Sequence, residues 1–305
     1  MPTPVSSLPP LRALLCATDL EADAQPALQR AAQWAAARQA PLHLLHVLGG
    51  PAILGLRQWM GADSAAEAGL CARAADELHQ WVAHGGVPGV SLHPHVAVGP
   101  VADTVHREAD ALDAEAVLIG PGSGGVRALW LGSTADRIVR QARRPVLLVR
   151  RPATAAYRRV AVALDLSPTA AACLAAACRL FTGAHFVLHH SWGVPFEEKL
   201  RFAGVDPATL DAYALPARAL EQVQALAHAQ GLPDADWTPS LQRGDAAHTL
   251  ADAARAAGCD VVVGQHGPEP GPAGLLGSTT RHVLAAADLD VLVVPLPGDA
   301  AEGPA

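Results

Sequence analysis

The segment VLIGPGSGGVRALWLGST, residues 117–134, returns in altered form as VVVGQHGPEPGPAGLLGSTT, residues 261–280. Each copy runs from an apolar strand into a glycine-rich loop, then through Gly-Ser-Thr into a helix-like segment. In both, one glycine is followed by nine residues and then Gly-Ser: Gly122 leads to Gly132-Ser133, and Gly267 to Gly277-Ser278. A loop between a strand and a helix N-terminus offers unpaired backbone N–H groups and the positive end of a helix dipole, which suit an anion such as phosphate. Tight turns of this kind need glycine for backbone reasons alone, so one copy would say little. Two copies imply an internal duplication.

The repeat extends well beyond those loops. ALLCATDL (13–20) matches VAVALDLS (160–167), and each places an aspartate, Asp19 or Asp165, just past an apolar run. Those aspartates are 146 positions apart, and Gly132 and Gly277 are 145 apart. APLHLLHV (40–47) matches AHFVLHHS (184–191), AVGPVADTVHREA (97–109) matches QRGDAAHTLADAA (242–254), and RPVLLVR (144–150) matches LDVLVVP (289–295). Each half has the size of one domain, which gives domains over residues 1–151 and 152–305 with RRPATAAYRR (150–159) as the linker.

Within each half, strand-like and helix-like segments alternate. The first half reads as LRALLCAT, a helix over 24–38, LHLLHVL, a helix over 64–84, SLHPHVAV, VADTVHREADAL as helix, AVLIG, STADRIVRQA as helix, and PVLLVR. The second half repeats that order, with helices at 168–181, 208–230, 245–257 and 278–287. Near-continuous apolar strands between helices signal a parallel sheet covered on both faces. The predicted fold is therefore α/β, with two doubly wound, mainly parallel five-stranded sheets.

Composition narrows the function. Half the 305 residues are apolar, enough for a substantial core. A net charge of −7 argues against nucleic acid as a partner, because neutralising phosphates needs a basic face. The only lysine is Lys199, so a Walker A loop, which needs Gly-Lys-Ser/Thr, is excluded. Five cysteines without a CxxC fit a reduced compartment. No apolar run is long enough to cross a bilayer, so the expectation is a cytoplasmic protein without a membrane partner.

Ligands of doubly wound folds sit beyond the carboxyl ends of the strands, where the strand order reverses. If the first and fourth strands run side by side, Asp19 or Asp165 and the adjoining glycine loop share one nucleotide-sized pocket. The carboxylate could accept hydrogen bonds from a base or ribose while loop amides and the serine hydroxyl hold phosphates.

On these residues the chain resembles a tandem universal stress protein, over nearly its whole length outside the two tails. The resemblance is carried by the aspartate after strand one, the second strand ending in histidine (LLHV; LHHS), and the glycine loop. ATP-binding members of that family carry G-x2-G-x9-G-S/T after strand four. The second half matches in full through Gly264, Gly267, Gly277 and Ser278, whereas in the first half only Pro121 separates Gly120 from Gly122 and the loop reads as shortened by one residue. The resemblance implies that Asp165 meets adenine and that Gly264, Gly267, Gly277, Ser278 and Thr279 meet ribose and phosphates. Asp19, Val47, Gly122, Gly132, Ser133 and Thr134 are the first-half counterparts, with Ser191 at the position of Val47. Three prolines (Pro268, Pro270, Pro272) remove amide donors from the second loop, and Glu269 would repel phosphate.

What the resemblance implies is a stress-response protein that binds ATP, with or without Mg, in its second domain or in both. The family also pairs its closing strands across a two-fold axis, which implies a pseudo-dimer within one chain, and two chains could associate in turn. The alternative is a scaffold of the same fold that binds no nucleotide and acts through protein contacts. An enzyme is the weakest reading, at most with weak ATP hydrolysis, because no Ser-His-Asp arrangement, carboxylate pair or metal cluster can be placed in the pocket.

Competing motifs carry less. Gly120, Gly122 and Gly125 satisfy G-x-G-x-x-G, but after a late strand rather than the first. The Ser123-Gly124-Gly125 of the same loop resembles a pyrophosphatase loop but is followed by no Asp-Ser. His93 with His95, or His189 with His190, could ligate a metal, yet no acid or cysteine lies at ligand spacing. Cys173 and Cys178 read as packing residues, and Arg140, Arg143, Arg144, Arg150 and Arg151 as a solvated edge.

Overall fold

The computed structural model describes residues 10–50, 65–85, 89–122, 132–193, 202–206, 216–266 and 289–296, with positions 53, 55, 58 and 59. The chain divides into two compact units, Met1–Ala156 and Tyr157–Ala305.

In the first unit the elements are β1 (Leu14–Thr18), α1 (Gln25–Arg38), β2 (Leu42–Leu48), α2 (Ala65–Gly85), β3 (Leu92–Val98), α3 (Val101–Ala111), β4 (Ala116–Ile119), α4 (Ser133–Arg140) and β5 (Val146–Leu148). The strands lie in the order β3-β2-β1-β4-β5 and every pairing is parallel. Leu14, Leu15, Cys16, Leu42, Leu44, Leu118 and Leu147 are fully buried, as strands with covered faces require. The outer strand β3 has no fully buried residue, and its sequence LHPHVAV is correspondingly more polar. α1 packs along β1 and β4, while α3 packs on β2 and on α4. Right-handed crossovers put helices that step in opposite directions along the sheet on opposite faces.

This order determines where a ligand can sit. The chain steps from β1 outward to β2 and β3, then crosses back so that β4 pairs with the other side of β1. Loops leaving β1 and β4 therefore diverge to opposite faces and open a crevice at their carboxyl ends.

The second unit repeats the scheme with β6 (Arg159–Ala163), α5 (Ala170–Leu180), β7 (His185–Trp192), α6 (Pro216–Ala229), β8 (Trp237–Arg243), α7 (Ala246–Ala256), β9 (Val261–His266) and β10 (Asp290–Pro295). Its strands run β10-β9-β6-β7-β8, again all parallel. The Tyr157 hydroxyl donates to buried Asp290 at 2.5 Å, tying the start of this unit to its closing strand. The helix expected over 278–287 lies outside the described residues.

Strand pairing also gives the correspondence between copies. Leu14 lies opposite Ala116, and Val160 opposite Val261, so β1 maps onto β6 at 146 positions and β4 onto β9 at 145. At that register Gly120 corresponds to Gln265, and Ile119 to Gly264. No residue is missing between β4 and Gly122. The apparent shortening of the first loop is corrected here: it is a glycine moved by one place, which counting from glycine to glycine mistakes for a deletion. Gly264 itself lies inside β9, opposite Val293.

Candidate functional site

A pocket of about 300 Å³ opens in the first unit at the carboxyl ends of β1, β2 and β4. Asp19, Val47, Gly122, Gly132, Ser133 and Thr134 all line it, joined by Thr18, His46, Gly120 and the apolar side chains of Leu45, Val101, Val105, Ile119 and Ile138. The lining comes from the turn after β1, the end of β2, the two ends of the glycine loop, and residues of α3 and α4.

The turn after β1 reverses sharply through Leu20, whose φ of 66° is left-handed and costs a leucine roughly 1 kcal/mol or more. Side chains compensate. Thr18 Oγ1 accepts from the Leu20 N–H at 3.0 Å and Asp19 Oδ1 from the Glu21 N–H at 3.2 Å. The second unit repeats the device: Leu166 has φ 57°, and Asp165 Oδ1 accepts from the Ser167 N–H at 3.0 Å. Each aspartate therefore shapes its turn with one oxygen.

At the end of β2, His46 Nδ1–H donates to the Thr18 carbonyl at 2.9 Å, and in the second unit His190 Nδ1–H donates to Leu164 O at 2.7 Å. The bond selects the tautomer in which Nε2 is the acceptor. The sequence showed both histidines as family markers but assigned them no contact. Their partner is a backbone oxygen at the end of the neighbouring strand (Thr18) or one residue past it (Leu164), which only the parallel register brings into reach.

The glycine loop is defined at its two ends, and residues 123–131 between them lie outside the described residues. Gly122 has φ 82°, the left-handed region that glycine enters without strain. A Cβ on Gly122 would stand 3.7 Å from Gly132 Cα, and one on Gly132 would stand 3.2 Å from the Pro121 carbonyl oxygen. The Gly132 N–H donates to that oxygen at 3.1 Å, so the ends of the loop close on each other backbone to backbone. Ser133 and Thr134 then open α4, where first-turn amides have no intrahelical acceptor. Behind them, buried His106 on α3 donates through Nε2–H to Ile138 O at 2.9 Å and pins α4 in place. Burial holds the His106 pKa below its ordinary value, so the ring stays neutral. Asp136 in the first turn of α4 is paired with Arg140 at 2.6 Å, which offsets its repulsion of an anion.

In the second unit Asp165 has a different neighbour. Gln265 Nε2 donates to Asp165 Oδ1 at 3.4 Å, and Thr169 Oγ1 donates to Gln265 Oε1 at 3.4 Å. Ser167 and Thr169 share a further hydrogen bond of 2.7 Å. Gly267, Gly277, Ser278 and Thr279, together with the three loop prolines and Glu269, lie outside the described residues. On β7, Ser191 stands at the register of Val47.

One histidine that the sequence offered as a metal-ligand candidate is instead a buried, hydrogen-bonded ring. His189 on β7 is 2 % exposed, where the first unit has Leu45. Its Nδ1 hydrogen-bonds Ser240 Oγ and its Nε2 Thr249 Oγ1, both at 3.1 Å. Burial, reinforced by His190, pushes its pKa down to about 4. Among the described residues no group of three or more His, Cys, Asp or Glu could hold a metal ion, and no helix is long and apolar enough to cross a membrane. Burial raises the thiols of Cys16 and Cys173 to about 12 and those of Cys178 and Cys259 to about 11, which removes them as nucleophiles.

The same residues identify relatives. The model of the universal stress protein family matches the chain twice, over residues 10–150 and 156–295. Universal stress protein G of Salmonella typhimurium is 35% identical over 121 residues, which is 40% of this chain and 85% of that protein. The protein of the same name from Escherichia coli O157:H7 matches over 121 residues with the same 35% identity. Among solved structures, a universal stress protein from Archaeoglobus fulgidus superposes with a TM-score of 0.65 at 18% identity, covering 93% of this chain and 98% of that one, which shows a shared fold. With the family matched once in each half, the chain belongs to the universal stress protein family as a tandem member.

Proposed function

We propose that the first unit binds an adenine nucleotide, with ATP as the ligand that fits the family and the site, and that the protein acts as a nucleotide-linked regulator in the stress response. The observation that carries this reading is the convergence of Asp19, Val47, Gly122, Gly132, Ser133 and Thr134 on one pocket of about 300 Å³. That volume is at the lower end for small-molecule sites, as suits a nucleoside held inside with phosphates leaning outward.

The chemistry of the lining divides accordingly. Leu45, Val47, Val105 and Ile138 offer the apolar walls an adenine ring needs. Asp19 supplies the acceptor for ribose hydroxyls or a base amino group. Phosphates meet the α4 N-terminus, with its free amides and the Ser133 and Thr134 hydroxyls, and the backbone at Gly122 and Gly132 leaves the space a Cβ would fill. Mg would travel with the phosphates rather than on a dedicated set of protein ligands.

Calorimetric titration with ATP tests this. Wild-type protein is expected to bind saturably, and Ser133→Ala and Asp19→Asn each to weaken binding by about tenfold, the loss of one hydrogen bond to a charged partner. No saturable binding, or variants equal to wild type, would remove the reading.

A further inference from the structure

Three histidines of the first unit meet outside the pocket. His43 on β2 lies opposite His93 on β3, and their rings stack with centroids 5.1 Å apart at 26°. His95, two residues further along β3, projects from the same face. On the helix that covers this face, Val101, Val105 and Glu108 recur at i, i+4 and i+7 and so share one side of α3. Glu108 Oε2 lies 3.6 Å from His95 Nε2, a buried nitrogen with no hydrogen-bond partner among the described residues. At the same registers the second unit carries Val187, Thr238 and Ser240 instead.

The charges here do not balance. One carboxylate faces three rings, and its other oxygen already accepts from Arg107 at 3.1 Å. Asp103 and Asp110 are on the far side of α3. α1 and α2 cover the opposite face of the strands, so their charges (Arg30 and Arg38; Glu67, Arg73, Asp76 and Glu77, with His79) lie beyond the sheet. β1 brings no charged side chain, and Ser91 Oγ, 3.0 Å from His93 Nε2, adds only a dipole. Burial first, then the charges of His93 and His95, hold the His43 pKa below its ordinary value. The folded arrangement is therefore at full advantage above pH 6.5 and loses it as pH falls.

We propose that this cluster is a proton-sensitive seam: acidification loads β2, β3 and α3 with more positive charge than Glu108 balances, loosens that edge, and releases nucleotide from the adjoining pocket. Shared elements make the link. His43, Leu45 and Val47 alternate onto one face of β2, and Val101 and Val105 precede Glu108 on α3, so the strand and helix that hold the seam also wall the pocket. Release of nucleotide rests on the first-pocket reading; opening of the seam does not.

The test follows hydrogen-exchange protection of the β3 amides and calorimetric ATP affinity from pH 7 to pH 5 on the full chain. It compares wild type, His43→Val, and the triple variant His43→Val, His93→Thr, His95→Ser, which copies the second unit. In wild type, β3 protection is expected to fall on acidification, and ATP affinity to drop about fivefold more than in the triple variant, the low end of ordinary coupling between sites. The titration of ATP itself cancels in that difference. His43→Val breaks the stack alone, should lose most of both responses, and serves if the triple variant does not fold. Glu108→Gln, equal in length, removes the one counter-charge and should move the opening of β3 to higher pH. Equal responses in wild type and the histidine variants, or an unmoved midpoint in Glu108→Gln, overturns the proposal. Opening of β3 with ATP affinity unchanged overturns its coupling to the pocket. No ATP binding by any of the proteins, with β3 still opening in wild type alone, removes the first-pocket reading and keeps the seam.

Discussion

His189 links a single buried ring to a measurable pH dependence. The ring is 2 % exposed between β7 and the start of α7, and its pKa falls from the ordinary 6.5 to about 4. In the unfolded chain the imidazole takes up a proton as pH drops through 6.5, while the folded protein refuses it until about pH 4. The folded state is thus at full advantage above pH 6.5 and loses this contribution as pH falls toward 4. At ~1.36 kcal/mol per pH unit, the loss is about 2 kcal/mol at pH 5 and about 3 kcal/mol by pH 4. His106 shifts in the same direction, so the contribution of His189 must be taken by difference. His189→Leu is the natural comparison, because leucine already occupies the equivalent place at Leu45 and Thr249 Oγ1 keeps its bond to Asp245 O at 2.9 Å. Urea unfolding of both proteins at pH 7 and pH 5 should show the wild type losing about 2 kcal/mol more than the variant. A proton NMR titration should place the His189 ring midpoint near 4. Equal losses in both proteins, or a ring titrating near 6.5, would refute the argument.

Further outcomes follow from the first unit. Gly120→Ala places a Cβ against two backbone atoms at 2.9 and 3.0 Å and should cost about 1–3 kcal/mol in thermal unfolding, whereas Gly132→Ala, with one contact at 3.2 Å, should cost less. His106→Leu leaves the Ile138 carbonyl without its donor and frees α4; a loss of about 1–3 kcal/mol together with weaker ATP binding is expected, and unchanged binding would separate helix anchoring from the site. Thiol labelling of native protein at pH 8 should show one fast-reacting cysteine, Cys71 on the half-exposed face of α2, with Cys16, Cys173, Cys178 and Cys259 slow.

Much of this architecture can be read from local patterns. LLCAT and AVLI are uninterrupted apolar runs, and such runs between Ala-rich helices specify covered parallel strands wherever they occur. The aspartates and Gly-Ser pairs stand out because backbone geometry restricts what can replace them, as φ 82° at Gly122 shows. Other features depend on register, which spacing does not reveal. Counting glycines aligned Gly120 with Gly264, while pairing of β9 with β6 sets Gln265 there instead. His189 read as one of two adjacent histidines with a distant partner to be found; its partners, Ser240 and Thr249, are 51 and 60 positions away and meet it only once β7, β8 and α7 have packed. The left-handed leucines were equally hidden, since Asp-Leu has no turn signature without the side-chain bonds that support it.

The location of the nucleotide is the point on which the account turns. Photo-crosslinking with an azido-adenine analogue of ATP, followed by peptide mapping of the full chain, addresses it directly. The account predicts ATP-protectable adducts on first-unit peptides that contain β2 or the loop flanking Gly122 and Gly132. Adducts confined to the second unit, or unaffected by excess ATP, would contradict it.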